Sequence, residues 1–219
     1  MDFKKVWNWF LEALFPPKCL ICRREGKFLC TKHYKFKPAP PSRVSFQYVD
    51  EIFAAVSYDD LVCKKLVEAF KFRGIYDLAE IMANEIVYRN KKFLENSILV
   101  PVPLHWTRKI WRGFNQTEIL AKKIAEKVDS AESREILKRI QKTKQQARLS
   151  KKERIKNTEN AFVFVGTGRD LSLKELKNKQ IILIDDVVAS GSTLDAAAKT
   201  LKFAGFQKVK AVVFARGGK

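Results

Sequence analysis

At 219 residues the chain is long enough for one α/β core and a small appendage, but not for several large domains. Its hydrophobic fraction of 46% is that of a globular protein, and no apolar window is long enough for a helix to cross a bilayer, so the expectation is a soluble or peripheral protein. Lys and Arg number 43 against 24 Asp and Glu, a formal charge of +19, which leaves three readings open: a polyanionic partner, an anionic membrane surface, or a lysine-rich solvated surface of a heat-adapted protein.

Residues 1–15 predict a short amphipathic helix with Phe3, Val6, Trp7, Phe10, Leu11 and Leu14 on one face. Asn8 and Glu12 interrupt the apolar run and no cleavage-like stretch follows, which argues against a signal peptide. The helix either packs on its own protein or lies in a membrane interface, an option its Trp and Lys residues keep open.

Next come Cys19-Leu-Ile-Cys22, a gap of seven residues, and Cys30-Thr-Lys-His33. Each knuckle offers two soft donors from a tight turn, and the short connection containing Gly26 brings the pairs together. The pattern predicts a structural Zn(II) site with Cys19, Cys22, Cys30 and His33 as ligands, closed because four protein donors leave no open position. Two disulfides are the alternative, disfavoured by the missing secretion signal and by the well-placed His. Cys63, inside an apolar run, reads as a small buried hydrophobe.

The segment 35–43, with Pro38, Pro40 and Pro41, reads as an extended linker dividing the chain into 1–43 and 44–219. Beyond it the pattern predicts a strand over 52–58, a helix over 60–72 stopped by Gly74, a helix over 76–92, and a strand over 98–100 running into Pro101-Val102-Pro103-Leu104-His105. Residues 138–157 are the most basic stretch. A strand over 161–165, a linker, a buried strand over 181–184, a helix over 193–204 and a last strand over 209–214 complete the series. Strands alternating with helices predict an α/β fold, a doubly wound parallel sheet with right-handed crossovers.

One stretch carries the chemistry: Ile181-Ile-Leu-Ile-Asp185-Asp186-Val187-Val188-Ala189-Ser190-Gly191-Ser192-Thr193. A strand, a loop of small and hydroxyl residues and a helix start together grip a phosphate, since the first N–H groups of the helix lack internal partners. It is neither a Walker loop nor GxGxxG. Two carboxylates beside an anion site suit a ligand with a phosphate at one end and vicinal hydroxyls nearby, and ribose 5-phosphate fits. The stretch resembles the 5-phosphoribosyl 1-pyrophosphate (PRPP) motif of type I phosphoribosyltransferases. The alternative is that Asp185 and Asp186 only cap a turn.

Resemblance then extends over nearly the whole chain. The zinc knuckles, Pro103-Leu104-His105, Arg112-Gly-Phe-Asn-Gln116, the Thr143-to-Leu149 stretch and the Asp-Asp motif occur in the order of the ComF family, competence-associated proteins with an N-terminal four-ligand zinc module. The resemblance implies Asp185 and Asp186 as the catalytic pair, Val187, Ala189, Ser190, Gly191, Ser192 and Thr193 as the phosphate loop, and Pro103, Leu104 and His105 with Arg108 and Arg112 as the pyrophosphate loop. It also implies a hood closing over PRPP, carried by Lys142, Thr143, Lys144 and Gln146. From the residues alone that basic stretch reads equally as an arm for a nucleic-acid backbone. The sequence departs from the family at Lys144-Gln145, where prolines are usual, and at Ala189-Ser190, where Thr-Thr is usual.

The resemblance implies Mg(II) with PRPP, single-stranded DNA and a helicase-type translocase as partners, and a cytoplasmic place at the inner face of the membrane, in uptake of transforming DNA. An active phosphoribosyltransferase of nucleotide metabolism, with an acceptor the sequence does not name, is the alternative, and a PRPP-responsive regulator is a third. No N-terminal catalytic Cys marks a glutaminase.

Overall fold

The computed structural model describes residues 16–42, 44–104, 110, 113–129, 131–140, 161–166 and 179–217. Among them run β1 (Glu51–Ser57), α1 (Leu61–Arg73), α2 (Leu78–Leu94), β2 (Ser97–Pro101), α3 (Gln116–Ala125), β3 (Glu132–Ser133), β4 (Leu137–Arg139), β5 (Phe162–Phe164), β6 (Gln180–Val188), α4 (Ser192–Phe203) and β7 (Val209–Arg216). The main sheet is parallel throughout in the order β1-β7-β6-β2-β3.

Strand β6 is central, and its apolar run is buried on both faces, as a parallel sheet demands. Ile182 and Ile184 join Leu66, Phe70, Ile86 and Leu120 in the layer built by α1, α2 and α3. Ile181 and Leu183 join Leu194, Leu201 and Phe206 in the layer built around α4. The helix ends follow local chemistry. Asp60 caps α1 by accepting from the N–H of Val62 at 2.7 Å and of Cys63 at 3.3 Å, and Gly74 stops it in the left-handed region at φ 64°. Asn115 caps α3, accepting from the N–H of Thr117 at 3.3 Å.

Two features depart from the sequence expectations for physical reasons, and one expectation falls outside the described residues. Arg108 and Arg112 of the expected pyrophosphate loop lie outside the described residues, and α3 starts at Gln116. The basic stretch over 138–157 opens as a strand: β4 pairs antiparallel with β5, and Leu137 and Arg139 are buried while Lys138 is exposed. That three-residue alternation is hidden among lysines. Finally, the Pro-rich linker is held to the body. The N–H of Ser57 donates to Lys37 O at 2.9 Å, Arg216 Nη1 to Pro40 O at 3.0 Å, and the Lys37 N–H to Asp60 Oδ2 at 3.1 Å. Prolines cannot donate, but the carbonyls and N–H groups among them still find partners. The knuckle segment also joins the body, since Leu20 and Leu29 are buried in the α1–α3 layer.

The segment entering β1 passes over the start of α4. Asp195 Oδ1 accepts from the N–H groups of Gln47, Tyr48 and Val49 at 3.0, 2.8 and 3.3 Å. Phe46 sits so close to Gly191 that a Cβ there would lie 2.5 Å from its ring, and Gly191 has φ +75°. Replacing Asp195 with Ala removes the charged acceptor of all three bonds, so Asp195→Ala should cost about 1–3 kcal/mol, read as a lower urea midpoint with an unchanged slope.

Candidate functional site

The loops leaving β2 and β6 meet at the carboxyl edge of the sheet, the place where open α/β sheets bind ligands. Between them lies a cavity of about 200 Å³. Pro103 and Leu104 line it from the end of β2, Asp185, Asp186 and Val187 from β6, and Thr193 from α4. Lys71 from α1, Gln116 from α3, Arg139 from β4 and Val102 just after β2 complete the wall.

The two aspartates occupy unlike positions. Asp186 is buried, 3% exposed, and both its oxygens are engaged: Oδ1 with Lys71 Nζ at 2.8 Å and Oδ2 with Gln116 Nε2 at 2.9 Å. Asp185 is only half-buried and accepts from the N–H of Asp186 at 2.8 Å. Burial, followed by the neighbouring Asp186 charge, pushes the Asp185 carboxyl up to about 7, against the pull of Lys71, the Asp186 N–H and Arg139. Asp185 therefore gains its charge near neutrality, ahead of the loop that leads into α4.

The loop itself has the expected form. Gly191 is the N-terminal boundary of α4 in left-handed conformation, and no side chain caps the helix, so its amino end offers N–H groups and the positive end of its dipole. Ser190 and Ser192 hydroxyls bond each other at 3.0 Å, while Ala189 is exposed. Val187 and Thr193 reach the cavity; Ala189, Ser190, Gly191 and Ser192 are not among its lining residues. His105, Arg108, Arg112, Lys142, Thr143, Lys144 and Gln146 lie outside the described residues. The sequence reading missed Lys71 and Arg139, and it treated Gln116 only as part of a motif. The cue for Lys71 was present in Lys71-Phe-Arg-Gly74, a cationic helix end just before its stop.

Cys19, Cys22, Cys30 and His33 form a second constellation, with all four donor atoms within 4.8 Å of one another. Cys19 Sγ lies 3.6 Å and Cys30 Sγ 3.2 Å from His33 Nδ1, and Cys22 Sγ lies 3.9 Å from Cys30 Sγ. Metal–sulfur and metal–nitrogen bonds of about 2.3 and 2.0 Å at tetrahedral angles demand donor separations of roughly 3.5–3.8 Å, so the four residues fit one metal ion. The turns are set by backbone bonds from the N–H of Cys19 to Arg24 O and of His33 to Cys30 O, both at 2.8 Å. Burial opposes ionisation of Cys19, yet the N–H groups of Cys22, Cys30 and Ile21 bring its thiol down to about 5.

Comparison with known proteins gives consistent matches. The phosphoribosyl transferase domain family matches residues 111–219. Competence protein F of Haemophilus influenzae is 29% identical over 157 residues, 69% of this chain and 66% of that protein. Competence protein ComFC of Bacillus subtilis is 31% identical over 151 residues, 66% of this chain and 55% of its own. The DNA utilization protein YhgH of Salmonella typhi is 35% identical over 104 residues, 47% of this chain and 42% of its own. The chain thus spans less than two thirds of the length of these curated relatives. No helix among the described residues is long and apolar enough to cross a membrane.

The metal fit is open to a direct check. Titrating the reduced, metal-free chain with Co(II) should saturate at one equivalent and give the intense visible bands of a tetrahedral sulfur-rich site, and Cys22→Ser should abolish or strongly weaken them.

Proposed function

The chain belongs to the ComF family, with a phosphoribosyl transferase domain over its C-terminal half, and on that premise we propose that it binds Mg-PRPP at the carboxyl edge of the sheet and takes part in uptake of single-stranded transforming DNA. The observation that carries the first half is the single cavity that unites the acid pair, Thr193 at the head of α4, and Pro103-Leu104.

In this reading the loop from Ala189 to Thr193 holds the 5-phosphate through backbone N–H groups and hydroxyls at the amino end of α4. Of the acid pair, Asp185 meets a ribose hydroxyl directly with Asp186 held behind it, and their charge stabilises the positive charge that grows at the anomeric carbon as pyrophosphate departs. Pro103 and Leu104, continued by His105, Arg108 and Arg112, receive the pyrophosphate, and Lys142, Thr143, Lys144 and Gln146 close over it. Magnesium, bound with the pyrophosphate, would offset its charge and leave the protein few ligands to supply. Of the two acids, Asp185 has no ion pair among the described residues, which makes it the first to face an incoming sugar.

The knuckle residues Cys19, Cys22, Cys30 and His33 hold Zn(II) as a structural ion, because three thiolates and an imidazole suit it and leave no site for water. The competence role is supported by the relatives' names and by the charge of +19. Single-stranded DNA would bind through its phosphates without sequence preference, handed on by a helicase-type translocase at the inner face of the cytoplasmic membrane.

Two measurements test these halves separately. Calorimetry with Mg-PRPP should show binding that tightens as pH rises from 6 to 8, since the Asp185 carboxyl releases its proton near 7. Asp185→Asn should remove that pH dependence and weaken binding tenfold or more; unchanged binding in the Asp185→Asn, Asp186→Asn double variant would defeat the site. Anisotropy with a labelled oligothymidylate should show affinity falling steeply with salt, by about 0.7 in the log–log slope per phosphate contacted; a flat response would remove the DNA half.

A further inference from the structure

Gln116 opens α3, is 4% exposed and forms part of the cavity wall. Its Nε2 donates to Asp186 Oδ2 at 2.9 Å, while Asp186 Oδ1 takes Lys71 Nζ at 2.8 Å. An ionised carboxylate only accepts, so the amide has one permissible orientation: reversed, Oε1 would abut a carboxylate oxygen. The arrangement therefore turns Oε1 away from Asp186, and that atom is buried with no hydrogen-bond donor upon it. Buried acceptors in folded proteins are nearly always satisfied, so one left bare in the wall of a cavity marks where a donor arrives with a ligand.

The same bonds change what Asp186 can offer. Both of its oxygens are committed and the residue is 3% exposed, whereas Asp185 uses a single oxygen on the Asp186 N–H. Among the carboxylate and amide oxygens of the described residues lining the cavity, Asp185 Oδ2 and Gln116 Oε1 are thus the two that carry no donor. One carboxylate and one neutral carbonyl also place less negative charge beside a phosphate-binding loop than two open carboxylates would.

We propose that Asp185 and Gln116 Oε1 together accept the vicinal hydroxyls of a sugar phosphate in this cavity, one hydroxyl each, and that Asp186 is a positioning residue acting through the Gln116 amide. This rests on the sugar-phosphate reading of the cavity given above, and it assigns to Gln116 the recognition of one particular hydroxyl.

The test is calorimetry of the full chain, in the presence of Mg(II), with ribose 5-phosphate and its 2-deoxy and 3-deoxy analogues. In the wild type, loss of either hydroxyl should weaken binding about tenfold. Gln116→Met should weaken ribose 5-phosphate about tenfold and become indifferent to the removal of one hydroxyl while still penalising removal of the other. Gln116→Asn, which keeps an amide but withdraws the carbonyl by one methylene, should behave alike and serves where Gln116→Met fails to give a cooperative urea transition. A purely structural role would weaken all three ligands by the same factor and leave both penalties in place. Retention of both penalties, or loss of both at once, overturns the assignment to Gln116 while leaving the cavity a sugar-phosphate site. Absence of ribose 5-phosphate binding by the wild type overturns the site reading and this assignment with it.

Discussion

The crevice is built around one buried charge. An ionised carboxylate out of water is tolerated only when it is paired and hydrogen-bonded, and Asp186 receives an ammonium from α1 and an amide from α3. Satisfying it draws the ends of two helices onto the carboxyl end of β6. Lys71 is in the last turn of α1, where the helix dipole also favours a cation, and Gly74 ends that helix before it can overrun the crevice. Gln116 is the first residue of α3, placed by the Asn115 cap. Removing any one of the three leaves a buried polar group without its partner, so the wall of the cavity depends on all of them together. The Asp185 carboxyl is raised first by its own burial and then by the neighbouring Asp186 carboxylate with which it shares the space.

What could be read in the sequence is what local pattern dictates. The buried run of β6 stands where four successive large apolar residues put it, and the Gly74 stop and the four knuckle donors likewise follow from spacing alone. The reading failed where contact crosses long distances. Lys71 and Asp186 are far apart in the chain, and a lysine in a chain with 43 cations gives no local sign that it, rather than another, reaches a buried acid. Strand β5 falls within the strand expected over 161–165, whereas its partner β4 is three residues long, so periodicity had too few positions to register it. Arg139, placed by β4, is buried over the Phe162 ring at 5.2 Å, although its flanking sequence reads as exposed and basic.

The positive excess is also partly resolved by contacts. Glu80 meets Lys123 and Lys127, Asp50 meets Lys202, Glu51 meets Lys210, and Glu132 meets Lys179 and Arg134. Such surface pairs contribute little to stability, but they tie acids to specific cations and leave the surplus as a diffuse positive field. A field of that kind attracts a polyanion to much of the surface without specifying where it lies. The cavity has a different character, with buried polar groups in fixed orientations, and this is why it rather than the net charge carries the reading of a defined ligand.

The Cys3His knuckle segment and the loop between β6 and α4 are mechanically joined, although they lie at opposite ends of the sequence. Leu20 and Leu29 fasten the knuckles into the α1–α3 layer. From there Phe36 packs edge-on against Phe214 of β7, Lys37 bonds Asp60 and Ser57, and Pro40 receives Arg216. The chain then reaches Phe46, whose ring closes on Gly191, while the next three N–H groups converge on Asp195 in the first turn of α4. Glycine at 191 is required twice over, by its backbone conformation and by the ring that occupies the space of a side chain. A metal held by the knuckles would therefore also fix the starting point of the strap that lies over the loop before α4, and so would act on the shape of the cavity without touching it.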